Sequence, residues 1–460
     1  MREVLKRVIL LLIILSNILP VDRIRSHVRS GADILLQNSA QYQYADGYVS
    51  AILDNTTDDL ILAKVVYQSE NPVQDAVMVP SYSYPGEDAG GLILFETLNR
   101  TTFEDAQIDI YPVYWHGYLA ILRPLFLILT YSDLRILNQI LELLLLIAVL
   151  YLMQKRSLDR FIPAFAVMIA FWNPGTMGVS LQYAPCYYLS MGGAAVLLLA
   201  GDRIGQGQFL TFMMLIGALT SYLDFLTYPA ATFGVPMIFA VLLRRESCLL
   251  AGQQSEKSGI RVRMMRFVQC GIWWVIGYIG MWAEKWIYGS ILCRTNILTI
   301  AAGKISERAS TEESGETITR LGTVLYLLRY ALMKKPYVIL VVIFAVMVAV
   351  MCCIATRKRG FRLHAGVSLG TAEVSDLTVN ECESPVELGT AVRVKMDPEL
   401  LAIAVIPLIW YFGAANHSHM HPRLVYRSMG IMVFAVCAVI TEMVLGRGNK
   451  TRGKQRKESQ

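Results

Sequence analysis

The sequence is poor in charge. Asp, Glu, Lys and Arg make up 17% of the 460 residues, whereas hydrophobic residues make up 55%. A soluble domain is usually about 45–50% apolar and about a quarter charged. The apolar residues also stand in blocks, many of them long enough for a hydrocarbon core of about 30 Å. The sequence therefore excludes a soluble globular enzyme and predicts an integral membrane protein with about ten spans.

Several functional motifs are absent as well. Without GxxxxGK[ST], ATP-driven transport by this chain is not expected, and GxSxG and HExxH are also missing. The eight cysteines show no CxxC or metal-like spacing, so they predict no disulfide framework. The net charge of +6 is spread over the ends of apolar blocks and not over one polar face, so nucleic-acid binding is not expected.

The basic residues predict an orientation. Lys155, Arg156, Arg244 and Arg245 follow apolar blocks, and such residues are held on the cytoplasmic side. With about ten spans, both termini then lie in the cytoplasm. The expected order is an uncleaved anchor in residues 1–20, an acidic extracytoplasmic loop in 21–117, a polytopic helical domain in 118–445 and a basic cytoplasmic tail in 446–460.

The apolar blocks set the expected helices. A stretch at about 118–130 is short and contains Arg123 and Pro124, which favours a half-membrane or interfacial helix. The spanning part must be helical, because lipid cannot satisfy backbone polar groups. The further predicted spans are 134–153, 161–172, 185–200, 209–225, 228–243, 267–282, 337–354, 400–412 and 429–445.

Acidic residues are concentrated before the second span. Asp54 and Asp58 are four apart in the segment 45–60, and a helix there would place both carboxylates on one face. Paired carboxylates can bind a divalent cation or take a proton from an acceptor hydroxyl. The alternative is a solvated acidic turn that caps a helix beginning near Leu60.

Isolated polar residues mark other outer ends of spans. His116 and Arg123 lie in an apolar setting, where a charge usually faces a partner or a cavity; Arg123 either holds a lipid phosphate or snorkels. Asp224 is either a helix cap or an acid facing a cavity. Lys285 lies where a predicted span leaves the membrane. It is predicted to be a site residue; the alternatives are an ion pair with Glu284 and an interfacial anchor.

Three of the six histidines lie together before the last span. His417, His419 and His421 are followed by Arg423 and Arg427. Imidazoles and guanidiniums favour a phosphate or pyrophosphate. A zinc site, with His417 and His421 on one helix face, and a passive interfacial loop are the alternatives, and the sequence fixes no fourth zinc ligand.

Several strings carry a resemblance. The segments LDNTTD, YWHGYLAILRP, TSYLDFLTYP, GYIGMWAEKW and HSHMHPR, within residues 40–430, resemble a family of polytopic membrane proteins of Gram-positive, clostridium-like bacteria. More loosely, the architecture is similar to the GT-C membrane glycosyltransferases, such as protein mannosyltransferases. Those have a first span, a large acidic outer loop, an interfacial helix and many further spans. The chain lacks their Asp-Glu pair directly after the first span.

The GT-C resemblance implies a function. It implies an all-α, GT-C-like enzyme of the bacterial cell membrane that moves a sugar from a polyprenyl-phosphate-linked donor to a cell-envelope acceptor on the outer face. Asp54 or Asp58 would be catalytic. The residues expected to bind substrate or phosphate are His116, Arg123, Asp224, Lys285, His417, His419, His421 and Arg423.

Some choices stay open at this level. No metal ligand is assigned, and the cofactor is left open, with a divalent cation as one option. The expected partners are the lipid-linked sugar donor and the bilayer. A lipid-linked glycan flippase or permease, or a polymerase of surface polysaccharide, would use the same outer cationic groups, and these remain the alternatives.

Overall fold

The computed structural model describes residues 10–32, 41–43, 52–84, 93–100, 102–250, 259–313, 316–332 and 397–445, with four single residues between 342 and 347. In these ranges the chain is helical apart from three short two-stranded ribbons. The predicted span 337–354, apart from those four residues, and the predicted tail 446–460 lie outside the described part.

The amino-terminal region forms a layer of short elements. They are α1 (Val21–Gly31), β1 (Gln41–Gln43), β2 (Ile52–Asp54), α2 (Asn55–Val65), α3 (Pro72–Met78), β3 (Ser81–Ser83), α4 (Ile93–Asn99), β4 (Gln107–Asp109) and α5 (Leu119–Leu125). Strand β1 pairs with β2, and β3 with β4, both antiparallel. The region expected as a polar loop thus has its own apolar core, which includes Ile24, Val28, Leu62 and Leu94.

The rest of the chain forms a helical bundle. Its first part contains α6 (Tyr131–Lys155), α7 (Ile162–Trp172), α8 (Pro174–Met177), α9 (Ala184–Ala200), α10 (Gln206–Leu223) and α11 (Ala230–Leu250). Its second part contains α12 (Ile260–Cys293), α13 (Ile297–Ala309), β5 (Glu312–Glu313), β6 (Glu316–Thr317), α14 (Arg320–Leu332), α15 (Pro398–Gly413), α16 (Ala415–Met420), α17 (Pro422–Val425) and α18 (Met429–Leu445). Single 3-10 turns lie at Asp159–Phe161, Leu181–Tyr183, Gly201–Arg203 and Tyr426–Ser428.

Each predicted span in the described part falls on a helix. Helix α12 extends well beyond the predicted 267–282 at both ends. Among the described residues, three helical segments are long and apolar enough to cross a membrane, namely Tyr131–Lys155, Leu181–Ala200 and Pro422–Val444, and Pro398–Gly413 is a shorter apolar helix. The structure is thus that of a mainly helical protein with segments able to span a membrane.

Helix α6 exposes an apolar face. On this helix, the side chains of Ile136, Ile140, Leu144 and Ile147 are each at least 50% exposed. Their spacing of three or four residues places them on one side of the helix. Such a stripe is unusual on a water-exposed surface. It is the face that a bilayer would cover.

The bundle has two distinct ends. At one end, which we call the basic end, Arg160 bonds Glu246 at 2.7 Å and Arg245 bonds Asp397 at 2.7 Å. These pairs join α7, α11 and the start of α15. The amino-terminal layer packs on the opposite end, which we call the layer end. There Trp115 reaches across to α12.

Glycines allow α10 and α12 to pack closely. A Cβ atom on Gly277 would lie 1.9 Å from the Met214 carbonyl oxygen, and one on Gly217 would lie 2.1 Å from the Trp274 carbonyl oxygen. Both distances are far inside van der Waals contact. Small residues at these positions let the two backbones approach, as is common between membrane helices. This contact fixes the part of α12 that supports the functional site.

Candidate functional site

The loop between β4 and α5 is fixed onto the layer end of the bundle. The Trp115 indole donates to the carbonyl of Met281 in α12 at 2.6 Å. The Gly117 amide donates to the carbonyl of Tyr222 in α10 at 2.8 Å. His116 lies between these two anchors, so both helices determine its position.

His116 is enclosed by aromatic rings. Its Nδ1 lies 2.7 Å from the Tyr118 hydroxyl, and its Nε2 has no hydrogen-bond partner among the described residues. Burial and the charges of Lys64 and Lys285 lower the pKa of His116 well below its usual value, so the ring is neutral. Ring centroids lie 5.5 to 6.3 Å from its own for Tyr111, Tyr114, Tyr118 and Phe225.

Two lysines lie beside this loop. Lys285 is 1% exposed, donates to the Tyr114 carbonyl and lies 5.7 Å from the centroid of the Trp115 ring. Burial lowers the pKa of Lys285 well below its usual value, which disfavours its charged form. Lys64 in α2 lies 3.4 Å from the Ser81 hydroxyl. Burial lowers the pKa of Lys64 to about 8, although the charge of Asp109 opposes this.

Arg308 brings a guanidinium to the same place. It lies in the last turn of α13, is partly buried and bonds the Tyr111 hydroxyl. One of its terminal nitrogens lies 3.5 Å from His421 Nε2. Arg308 was not predicted as a site residue, because it stands in the charged run 307–316 and no sequence feature distinguishes it from neighbouring charged residues such as Lys304.

The three histidines before α18 do not act as one group. His417 Nε2 lies 2.9 Å from the Leu226 carbonyl, so this nitrogen carries the proton, and the His417 and His421 rings lie 5.0 Å apart. His419 instead packs 4.7 Å from the ring of Tyr326. Burial, His421 and Arg308 lower the pKa of His417 to about 3. Within the described ranges, no group of three or more His, Cys, Asp or Glu side chains is placed to hold a metal ion.

Asp224 organises the turn between α10 and α11. Its carboxylate accepts the Leu226 amide at 2.9 Å and the Thr227 amide at 3.1 Å, and it also accepts the Thr227 hydroxyl. Aspartate commonly fixes turns in this way. The turn presents Phe225 to His116 and the Leu226 carbonyl to the histidines. Of its two expected roles, Asp224 has the capping one here, and it positions the site.

Asp54 and Asp58 do not share one helix face. Asp54 ends β2, and α2 begins at the next residue, so the four-residue helical spacing expected from sequence does not apply. The side chain of Asp54 lies outside the described part. Asp58 is buried and accepts the Tyr131 hydroxyl at 2.6 Å and the Leu181 amide at 3.1 Å. It therefore ties the amino-terminal layer to α6 and to the turn before α9.

Asp59 lies beside this anchor and is a buried acid that the sequence analysis passed over. It is 2% exposed. Burial and the charge of Asp58 raise the pKa of Asp59 to about 7. Burial likewise raises the pKa of Asp58 to about 6, because its hydrogen bonds compensate only in part. The layer thus carries two acids that bind protons near neutral pH.

Arg123 and Arg423 lie apart from His116. Arg123 is 0% exposed and donates to the Asn17 side chain and the Tyr67 carbonyl. From sequence, Arg123 was predicted either to hold a lipid phosphate or to snorkel. In the structure its guanidinium donates to these protein groups instead. Arg423 bonds the Tyr330 hydroxyl. Neither arginine bonds a residue around His116.

The structure therefore collects part of the expected site. We call this group the layer-end cluster. It draws on the loop before α5, the turn after α10, and α12, α13 and α16. Its members are Tyr111, His116, Asp224, Lys285, Arg308, His417 and His421. Aromatic, imidazole and cationic groups in one place suit a ligand that carries both an anionic and a ring-shaped part.

An apolar groove leads towards this cluster. It has a volume of about 380 Å³ and lies between α2, α5, α6 and α9. Tyr118 lines the groove and also bonds His116. Ile121 and Leu141, which are 50% and 44% exposed, mark its open side. The groove has the lining that a hydrocarbon chain requires.

Comparison with protein-family models, with curated proteins and with solved structures gives no match for this chain.

Proposed function

We propose that this chain is a membrane-embedded glycosyltransferase of GT-C-like architecture. It takes a sugar from a polyprenyl-phosphate-linked donor and transfers it to a cell-envelope acceptor on the outer face of a bacterial membrane. In this proposal the layer end of the bundle faces outwards and the basic end faces the cytoplasm, as the distribution of positive residues favours.

One observation carries the proposal, namely that the apolar groove and the layer-end cluster meet at Tyr118. Tyr118 lines the groove and bonds His116. The ring of His116 packs 5.6 Å from that of Tyr111, which bonds Arg308. An isoprenoid chain needs an apolar groove, and its phosphate needs cationic donors at the end of that groove. This succession of contacts supports a lipid-linked anionic substrate.

The chemistry assigns roles to these groups. The acceptor hydroxyl attacks the anomeric carbon, the bond from that carbon to the phosphate oxygen breaks, and the phosphate leaves with the electron pair. Arg308 and His421 stabilise the charge that develops on this phosphate. A carboxylate takes the acceptor proton. We assign this role to Asp54, because Asp58 already bonds Tyr131 and Leu181.

The separation of the two ends favours transfer over flipping. A second cavity lies at the basic end and shares no lining residue with the groove. Packed aromatic side chains such as Phe165, Phe239 and Phe434 belong to the core of the bundle. A flippase must pass the headgroup through this core, whereas a transferase completes its reaction at one face.

Arg308 provides the test. In lipid nanodiscs, Arg308→Gln should weaken binding of a polyprenyl-phosphate sugar by about tenfold or more, since a charge-assisted hydrogen bond contributes about 1.5–3 kcal/mol. Lys304→Gln is the matched control, because Lys304 lies one turn earlier on α13 and pairs with Glu307. Wild-type affinity in Arg308→Gln, measured by titration, would remove the phosphate site from the proposal.

A further inference from the structure

A second cavity lies at the basic end of the bundle, away from the layer-end cluster. Its volume is about 600 Å³, within the range of about 300–1,000 Å³ typical of ligand sites. The cavity lies among the ends of α9 and α11 and the starts of α10, α12 and α15. Nothing in the proposed sugar transfer uses it.

The charged residues that line this cavity are mostly positive. They are three arginines, Arg244, Arg263 and Arg266, and one glutamate, Glu399. Arg263 is 3% exposed and bonds Asp397 at 2.6 Å, and Arg244 bonds Glu399 at 2.9 Å. These ion pairs fix two of the arginines in place. Arg266, in contrast, is exposed at the rim of the cavity.

The remaining wall is apolar. It includes Leu197, Phe209, Met237 and Phe267, supplied by four different helices. A soluble phosphate compound would gain little from such a wall. A molecule with a phosphate and hydrocarbon chains would contact the arginines and the wall together. Charge complementarity and lining thus point to the same kind of ligand.

We propose that this cavity binds an anionic glycerophospholipid of the cytoplasmic leaflet. The phosphate of the lipid lies by Arg244 and Arg266, and its acyl chains run along Phe209 and Phe267. Basic pockets between membrane helices on this side commonly hold anionic headgroups. The proposal needs the membrane orientation given above but does not need sugar transfer.

The test compares two lipids on the full chain. The protein is placed in nanodiscs of phosphatidylcholine with a small fraction of phosphatidylglycerol, and bound lipid is counted by native mass spectrometry. Wild type should retain phosphatidylglycerol over phosphatidylcholine. Arg266→Gln should reduce that preference about fivefold, the effect expected of one arginine near an anionic surface. Arg261→Gln is the matched control, since Arg261 is exposed on the same helix but does not line the cavity.

Each outcome decides the proposal. Equal retention of the two lipids by wild type, or equal losses in Arg266→Gln and Arg261→Gln, would overturn it. Displacement of the lipid by glycerol phosphate alone would show a site for soluble phosphate and would also overturn it. Circular dichroism in detergent shows whether Arg266→Gln is folded. If it is not, Arg244→Gln is measured in its place, with the same expected loss.

Discussion

His116 and Tyr118 are joined by a side-chain hydrogen bond of 2.7 Å, and His116 adopts a left-handed backbone conformation with φ of 51°. Such a conformation is uncommon for a residue other than glycine and persists only where the surroundings enforce it. Here the bonds of Trp115 and Gly117 to α12 and α10 enforce it. The result is a neutral imidazole held at the junction of the groove and the layer-end cluster.

Removing the Tyr118 hydroxyl should slow sugar transfer while leaving the lining of the groove intact. Tyr118→Phe keeps the ring that lines the groove but releases His116 Nδ1. A net hydrogen-bond contribution of about 0.5–1.5 kcal/mol predicts a loss of about 2- to 13-fold in kcat/KM for sugar transfer. Tyr288→Phe on the exposed side of α12 is the control. Unchanged kinetics in Tyr118→Phe would argue against any role for this bond.

Asp58 should act on stability through Tyr131. Asp58→Ala and Tyr131→Phe each remove the 2.6 Å bond, so each should lower the free energy of unfolding by about 1–3 kcal/mol. Because both variants remove the same interaction, the double variant should lose less than the sum of the two. Thermal unfolding in detergent measures all three. Strict additivity would show that the two side chains do not depend on each other.

The pH dependence of stability should follow the buried acids of the layer. Burial raises the pKa of Asp58 to about 6 and that of Asp59 to about 7, whereas an unfolded chain has a value of about 3.9. Between about pH 4 and pH 7 the folded protein therefore binds more protons, so its stability falls as the pH rises through this window.

Asp59→Asn tests the source of this pH dependence. It removes the acid with the higher pKa, so the decline in unfolding temperature between about pH 4 and pH 7 should become shallower. Glu70→Gln changes an exposed acid in the same layer and serves as the control. A slope that is the same in Asp59→Asn and wild type would place the effect elsewhere.

The contact between α10 and α12 should tolerate no added methyl group. In Gly277→Ala the new Cβ meets the Met214 carbonyl at 1.9 Å, so the helices must separate, at a cost of about 1–3 kcal/mol. Gly280→Ala lies one turn away with nothing within 4 Å. It should be neutral or stabilising, because alanine favours helices by about 1 kcal/mol over glycine. Equal unfolding temperatures for the two variants would contradict this packing.

Much of the helical bundle could be predicted from sequence, and the reason is physical. A span must be continuously apolar and helical, so each block read from 134–153 to 429–445 that lies in the described part marks a helix. The apolar core of the amino-terminal layer was not predicted, because several of its helices are short. Elements such as α3 and α4, of seven residues each, give no periodic signal long enough to recognise.

The site was predictable only in part, because its contacts are distant in sequence. His116, Asp224, Lys285 and His417 stood out as polar residues at the ends of apolar blocks, and the structure brings them together. Arg123 stood out for the same reason, yet its partners are Asn17 and Tyr67. Spacing alone could not separate these cases, since only the fold decides which partner a buried charge receives.

The central claim is that this chain transfers sugar from a polyprenyl-phosphate donor at its outer face. It is tested most directly in proteoliposomes that contain the purified protein and a donor with a radiolabelled sugar. The account predicts that the label moves from the lipid to an added envelope acceptor, and that Arg308→Gln, but not Lys304→Gln, slows this transfer by about tenfold or more. Label that stays on the lipid, or that crosses the bilayer still attached to it, would contradict the account.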